Sequence, residues 1–441
     1  MSLNKLPQVD KILNLECFKT AIKPILANIV RDELEKQREL LKQGKDMLEF
    51  DKLTQLILQK YENFINKGLK RLINATGVVM HTNLARSVID EQILSRAKDV
   101  ITSYSNLEYN LNSGQRGNRY DYIGSLLSSL FGFEDALVVN NNASAVFLIL
   151  NTFAKGGETI VSRGELVEIG GSFRVPDVMS ASGSILKEVG TTNKTHLYDY
   201  ENAINESTKM LLKVHRSNFD IVGFTRSVDI SEISKLAKDR NLIEYYDLGS
   251  GYVGELNYNL GKDEPSIAKF SKVSLVSFSG DKLFGSVQAG IILGKRELIV
   301  KLRKNALLRM LRVDKVTLAI LSESVKAYLN KEFELITTIK HINKELSSLE
   351  NLANLINQNL KTPLEIVKTN TFVGGGSLPN KTYPSIALKV AGEAILNESI
   401  YRAEGIIGRI ENEAFLLDLR SILDKDVKEL IEKINKIESA K

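Results

Sequence analysis

Cysteine is almost missing from this chain: Cys17 is the only one in 441 residues. No intrachain disulfide can form, and with only four histidines (His81, His196, His215 and His341) no Cys–His metal cluster can be assembled. No metal is expected, and a reducing compartment fits. Long apolar runs are lacking too. Nothing approaches the roughly 18 apolar residues of a membrane span, and Met1–Lys5 begins no secretory apolar region, so the expectation is a cytoplasmic protein with no membrane partner. Charge of one sign is scarce as well: 59 Lys and Arg against 54 Asp and Glu leave +5, too slight to mark a nucleic-acid binder by itself. The chain has no internal repeat and no low-complexity tract. Its 43% hydrophobic and 26% charged residues are those of an ordinary globular protein with room for two or three domains.

The hydrophobic pattern changes twice. Residues 1–65 read as helical, with Ile22, Ile25, Leu26 and Ile29, then Leu53, Leu56, Ile57 and Tyr61, near helical spacing and with Gly44 and Gly68 as punctuation. They form a small unit with a slight basic excess. Residues 66–312 alternate short β-like runs with helical stretches. The runs are Ala136–Val139, Thr159–Val161, Met210–Val214, Leu242–Tyr246, Val273–Val276 and Ala289–Leu293, with crossovers such as Ser231–Arg240, the signature of a mostly parallel sheet covered on both faces. Residues 313–441 read as a long helical stretch, Val313–Leu360, followed by a smaller α+β unit. Its strands are expected near Ser385–Val390 and Ala414–Leu419, after a loop marked by Gly374-Gly375-Gly376 and Pro379. The fold class expected is α/β.

Three features of the α/β region carry chemistry. Lys282, in Ser277-Phe278-Ser279-Gly280-Asp281-Lys282, is flanked by small residues just past a strand. There an amine can reach an aldehyde while the backbone stays close, which points to Schiff-base chemistry with pyridoxal phosphate; the other reading is a surface lysine in a turn. Asn141, Ala143 and Ser144 follow the Leu137–Val139 strand and open a helix whose N–H groups suit a dianionic phosphate, although every βα unit needs an N-cap of this kind. Asp247, at the carboxyl end of Leu242–Tyr246 and one βα unit before Lys282, can hold a pyridine nitrogen protonated; a turn-forming Asp before Gly is the alternative. Residues 295–312 add a local basic run of seven Lys and Arg against Glu297, which a solvated helix face would also explain.

Several longer segments carry a resemblance. Arg71–Leu84, Arg163–Arg174, Glu188–Asn193, Ser279–Lys282, Gly408–Glu411 and Leu417–Arg420 together resemble bacterial selenocysteine synthase, L-seryl-tRNA(Sec) selenium transferase, from about residue 71 to the C-terminal region. The resemblance implies a fold-type-I pyridoxal phosphate transferase in which Lys282 holds the cofactor. It also implies a homo-oligomer, dimers joined into a ring with active sites at subunit interfaces, and an N-terminal helical domain that grips the tRNA. Arg86, Arg309 and Arg312 match the positions that hold the selenium donor, selenophosphate. Guanidinium forks suit such an oxyanion, and the i, i+3 spacing is expected to put Arg309 and Arg312 on one helix face.

The implied reaction is a β-replacement on seryl-tRNA(Sec): Lys282 removes the α-proton, Asp247 keeps the ring protonated, water leaves and selenium adds. Asp281 is placed next to the lysine to move the departing proton or to orient Lys282. The sequence departs from the family at Ala85 and Ser87, where Gly and Ala are expected, and at Phe284-Gly285-Ser286-Val287, where Leu-Gly-Gly-Pro is expected. A pyridoxal phosphate lyase acting on a small phosphorylated amino compound is the competing reading, and the N-terminal helical segment is what such an enzyme would not need. The ring-stacking residue is sought in the Glu165–Gly170 loop, and no histidine is assigned to catalysis.

Overall fold

A computed structural model describes residues 6–169, 173–254, 256–262 and 264–440. Met1–Lys5, and Gly170 with the Gly171-Ser172 that follows it, lie outside the described residues. The chain forms two compact units, residues 1–71 and 72–441. In the first, helices Val9–Leu13, Lys23–Lys42 and Phe50–Ile65 close on Ile12, Phe18, Leu26, Val30, Leu53 and Ile57, all fully buried. Gly44 takes φ +76°, a left-handed conformation that costs glycine little, between the two long helices. Among the described residues no helix is long and apolar enough to cross a membrane.

The second unit is built on a seven-stranded sheet: β1 Asp135–Val139, β2 Glu158–Ser162, β3 Ile185–Val189, β4 Thr208–Val214, β5 Ile243–Gly249, β6 Leu275–Ser279 and β7 Gly290–Gly294. Their spatial order is β1-β7-β6-β5-β4-β2-β3, and only β7 runs antiparallel to its neighbours. The α/β class read from the sequence is thus the observed one, and the six apolar runs coincide with β1, β2, β4, β5, β6 and β7. The strand the pattern missed is β3. It sits at the sheet edge, where Lys187 and Glu188 break the apolar run and Ile185 is half exposed. Helix Ile230–Asp239 starts at a capping box, with the Asp229 and Glu232 side chains satisfying each other's end of the turn.

The Val313–Leu360 stretch is not one helix. It is broken into Lys315–Leu329, a short turn at Phe333–Leu335, Thr337–Ile342 and Leu346–Gln358. The first break falls at Lys331, whose φ of +60° ends the helix without the glycine that would have announced it. Leu318, Leu321 and Val325 of Lys315–Leu329 pack into the core of the central sheet, which therefore runs on past residue 312.

Beyond it, an antiparallel sheet of Glu365–Gly374, Ser377–Val390, Ala414–Asp418 and Arg409–Glu411, in that spatial order, carries helices Leu346–Gln358, Ala394–Ala403 and Val427–Glu438 over a core that includes Ile386, Leu388, Tyr401 and Phe415. The loop expected at Gly374–Pro379 is instead a tight hairpin. Gly374 pairs with Ser377, and Pro379 lies inside the second strand.

His341 is a buried joint in this unit. Its Nδ1 lies 2.8 Å from the carbonyl of Arg420, and burial, the largest cause, pushes its pKa down to about 3. The folded value is below the unfolded one, near 6.5, so as pH falls the unfolded chain takes up the proton first. Stability should therefore decline between about pH 6.5 and 3, by up to about 1.4 kcal/mol per pH unit from this group. His341→Asn, whose amide can still donate to the carbonyl, should flatten that part of the stability–pH curve in denaturant titrations; an unchanged slope would assign acid sensitivity elsewhere.

Candidate active site

The carboxyl ends of β1, β2, β4, β5 and β6 open onto one edge of the sheet, where open α/β folds bind ligands. Asp247, on β5, is buried there and aligned with Ser277 of β6. Its Oδ1 accepts from Asn142 Nδ2 at 2.8 Å and from the Gly249 amide at 3.1 Å. Asn142 is itself oriented: its Oδ1 accepts from Ser277 Oγ at 2.8 Å, and the Tyr245 hydroxyl lies 2.6 Å from that same Oγ. A chain of hydrogen bonds from Tyr245 through Ser277 and Asn142 therefore fixes the plane of the Asp247 carboxylate. Burial raises the Asp247 pKa, opposed by the Asn142 bond and by the charge of Lys282. A carboxylate so placed favours a cationic partner.

Lys282 follows β6 and is 7% exposed. Burial, the largest cause, lowers its pKa, and nearby Arg86 adds to the lowering while Asp247, Asp281 and Glu264 oppose it. The amine is thus shifted toward the neutral, nucleophilic form.

The loop that carries it is tightly held. Gly280 N–H donates to Ala289 O, Ser286 N–H to Gly280 O and Gly285 N–H to Lys282 O, each at 2.8 Å. Gly285 takes φ +72°, and a Cβ there would lie 2.6 Å from Ile336. Where the family pattern expects Gly-Pro, Ser286 donates to Ser324 Oγ at 2.8 Å and so anchors the loop to helix Lys315–Leu329. The Ser87 departure acts likewise, its hydroxyl lying 2.8 and 3.0 Å from the carbonyls of Asp281 and Lys282. Ala85 sits at φ +70°, which explains why glycine is expected there.

Helix Asn142–Phe153 begins beside these groups. Asn141 is its N-cap, the side chain accepting from the Ser144 N–H at 2.8 Å, so the ordinary capping role is real. The first turn leaves the N–H groups of Asn142 and Ala143 and the Ser144 hydroxyl at the helix end, a donor set suited to phosphate. Together the lowered-pKa amine, the buried carboxylate with Oδ2 still available and this helix end fit pyridoxal phosphate, because they match its aldehyde, ring nitrogen and phosphate.

The three arginines fall into two groups. Arg86 Nη1 is 2.8 Å from Asp281 Oδ2, while Asp281 Oδ1 accepts from Ser279 Oγ at 2.7 Å. Arg309 and Arg312 line a cleft of about 440 Å³ with Arg116, Arg119 and Lys304, and Arg86 is not among its lining residues. The one-helix-face expectation is corrected. The helix is only Leu308–Leu311, and Arg312 lies beyond it in extended conformation because its backbone pairs antiparallel with Val139. That pairing, with the Asn140 N–H donating to Leu311 O at 2.9 Å, ties the arginine segment to the end of β1, just before Asn141.

Some motif segments serve architecture. Asn74–Gly77 docks on Asp418–Ser421: Asp418 N–H donates to Ala75 O at 2.8 Å, Gly77 N–H to Ser421 Oγ at 2.9 Å and Ser421 Oγ to Asn74 O at 2.8 Å. Glu165 is buried against Lys213, accepting from its Nζ at 2.8 Å and from the Val214 amide at 3.0 Å, so it fastens its loop to β4.

Sequence reasoning missed Asn142, Ser277, Glu264 and Glu108. The signal for Ser277 was present: residues 275, 277 and 279 alternate onto one side of β6. Glu264, which accepts from Ser250 Oγ and lies 3.3 Å from His215 Nε2, gave none, because loop residues have no periodicity.

Comparison with known proteins finds likeness along the whole chain. The family described as SelA, L-seryl-tRNA selenium transferase, matches residues 72–423. A protein of Campylobacter concisus named L-seryl-tRNA(Sec) selenium transferase is 62% identical over 99% of both chains, and one of the same name from Campylobacter fetus is 58% identical over 98% of both. Among solved structures, a D-glucosaminate-6-phosphate ammonia-lyase superposes with a TM-score of 0.61 at 17% identity, over 86% of this chain and 98% of its own, a likeness of fold.

Proposed function

Because the chain belongs to the L-seryl-tRNA selenium transferase family, we propose that the edge of β5 and β6 converts L-seryl-tRNA(Sec) to selenocysteinyl-tRNA(Sec), with pyridoxal phosphate as cofactor and selenophosphate as selenium donor. The observation that carries this reading is the pairing of a buried, lowered-pKa Lys282 with a buried Asp247 on adjacent strands. The chemistry drawn from pyridoxal phosphate is an electron sink for the pair left when the serine α-proton departs.

Lys282 Nζ would hold the cofactor's aldehyde carbon, and the same amine, when free, is the base placed to take the serine α-proton. Asp247 Oδ2 would face the ring nitrogen and favour its protonated form, and Asn142 with the Gly249 amide fixes the orientation of that carboxylate. The Asn142 and Ala143 N–H groups and the Ser144 hydroxyl would hold the phosphate, with Asn141 fixing the turn. The proton that Lys282 takes from Cα passes to the departing serine hydroxyl, with Asp281, held by Ser279 and Arg86, orienting the transfer, and water leaves Cβ. Arg309 and Arg312 hold selenophosphate by its oxygens while selenium bonds to Cβ; a proton returns to Cα, water cleaves the P–Se bond and phosphate leaves, with Arg86 held beside Lys282 by its pair with Asp281.

An aminoacyl ester has no α-carboxylate to clamp, which leaves these arginines to the donor. The lyase reading loses ground on the same comparisons: relatives at 58–62% identity span the chain, whereas the ammonia-lyase shares the fold alone. Residues 1–65 serve as the tRNA-gripping domain, supported by their own closed core, with 66–312 as the cofactor domain and 313–441 as the small domain. Assembly into a homo-oligomer is supported by a cleft of about 610 Å³ whose walls include Leu111, Tyr109 and Tyr122, each more than half exposed. The enzyme works in the cytoplasm.

The test is the visible spectrum of the purified protein before and after adding seryl-tRNA(Sec) and, separately, free serine. A yellow band that shifts only with the charged tRNA is the expected result. A band that answers a small amino compound and ignores the tRNA would replace this reading with the lyase.

A further inference from the structure

The cleft that holds Arg309 and Arg312 already contains an anion. Glu108, which leads into the Tyr109–Asn110 strand, directs its carboxylate into a ring of guanidinium groups. Its Oε1 accepts from Arg119 Nε at 2.8 Å and from Arg119 Nη2, and lies 3.8 Å from Arg312 Nη1; its Oε2 accepts from Arg116 Nη2 at 3.1 Å. These arginines hold its pKa below the usual carboxylate range, the Arg119 bond contributing most. It is therefore ionised wherever the enzyme works.

One carboxylate does not saturate the cleft. Arg309 and Lys304 line it as well, and two further lining residues, Tyr120 and Arg303, have a buried hydroxyl and Nε without a hydrogen-bond partner among the described residues. The arrangement resembles a site for a tetrahedral oxyanion in which a side chain stands in for part of the ligand.

Resting on the donor-binding role given above to Arg309 and Arg312, we propose that Glu108 is a built-in competitor for that anion and sets a charge threshold on what the cleft accepts. A ligand with two or more negative charges and several oxygens can take Arg312 from Glu108 and reach the unspent donors. A singly charged carboxylate offers the arginines nothing that Glu108 does not already supply, so it is refused. Selenophosphate passes this threshold, while free amino acids and other cytoplasmic monocarboxylates do not. Glu108 is thus a specificity-determining residue that contacts the donor's binding groups rather than the reacting atoms. The opposite role is also physically definite: a carboxylate that merely pre-orients Arg119 and Arg312 would strengthen anion binding, and its removal would weaken it.

The experiment is a calorimetric titration of the holoenzyme with inorganic phosphate at pH 8, where it is a dianion, and with acetate, in the wild type, Glu108→Gln, Glu108→Asp and Arg312→Ala. Glu108→Gln should bind phosphate about tenfold more tightly and acquire measurable acetate binding that the wild type lacks. Glu108→Asp, whose shorter side chain withdraws from Arg312, should tighten phosphate by a smaller factor and guards against a failure of the glutamine variant to fold. Unchanged or weaker phosphate binding in both Glu108 variants, with binding lost in Arg312→Ala, would overturn the competitor role and leave the donor cleft standing. Phosphate binding that survives Arg312→Ala unchanged would remove the donor cleft and this inference together.

Discussion

Lys282→Ala should give a folded protein that fails to turn over seryl-tRNA(Sec), with a loss of at least about 10⁴-fold. One residue both fixes the cofactor and moves the α-proton, and general acid–base groups alone contribute about 10²–10⁴-fold. The physical argument also predicts what happens to stability, which separates a catalytic loss from a folding failure. The lowered Lys282 pKa means that the folded apo-protein disfavours the ammonium relative to the unfolded chain. At pH values below the ordinary lysine range the unfolded state binds a proton more readily, so stability rises with pH through the window between the lowered value and about 10.5. Alanine removes that penalty. Thermal melts of the apo-protein near neutral pH should therefore show the variant at least as stable as the wild type, with a flatter dependence above neutrality. Native turnover in Lys282→Ala would sink the mechanism, and a large drop in stability would sink the electrostatic reading of the loop.

How far this site could be read in the sequence depended on whether a residue's role is announced by its neighbours along the chain. Lys282, Asp247 and the Asn141–Ser144 turn each follow an apolar run, and the strand ends brought them to one edge of the sheet as the βα alternation implied. The same logic failed where long-range pairing decides. Arg312 looked helical from its spacing to Arg309, but the antiparallel bridge to Val139 pulls it out of the helix, and nothing local to 309–312 encodes that strand-like contact. Edge strand β3 was hidden because a strand with one open side tolerates charge. The Lys331 break was hidden because a lysine in the left-handed region carries no composition signal. Segments 71–84 and 417–420 stood out as motifs yet bond to one another through Asn74–Gly77 and Asp418–Ser421, whereas the motif Ser279–Lys282 holds site residues, so a family motif does not by itself mark the site. Glu108 shows the converse: an unremarked carboxylate becomes informative only when three arginines from two stretches of chain converge on it.

Asp247→Asn is expected to be the second largest loss, about 10²–10⁴-fold in turnover, and it isolates charge from shape. The asparagine carbonyl can keep both bonds now made to Oδ1, from Asn142 and from the Gly249 amide. What it cannot do is pair with a protonated ring nitrogen, and breaking one side of a buried ion pair costs about 3–5 kcal/mol. Asn142→Ala and Ser277→Ala keep the charge and remove orientation. Each deletes two hydrogen bonds of the relay, together about 1–2 kcal/mol, so losses of about tenfold are expected from either. The diagnostic quantity is the ranking. If Asp247→Asn falls far below the two relay variants in single-turnover rate, Asp247 acts by its charge. If Asn142→Ala costs as much as Asp247→Asn, the carboxylate matters chiefly through where it points, and the chain from Tyr245 through Ser277 and Asn142 would become the element on which the electron sink depends.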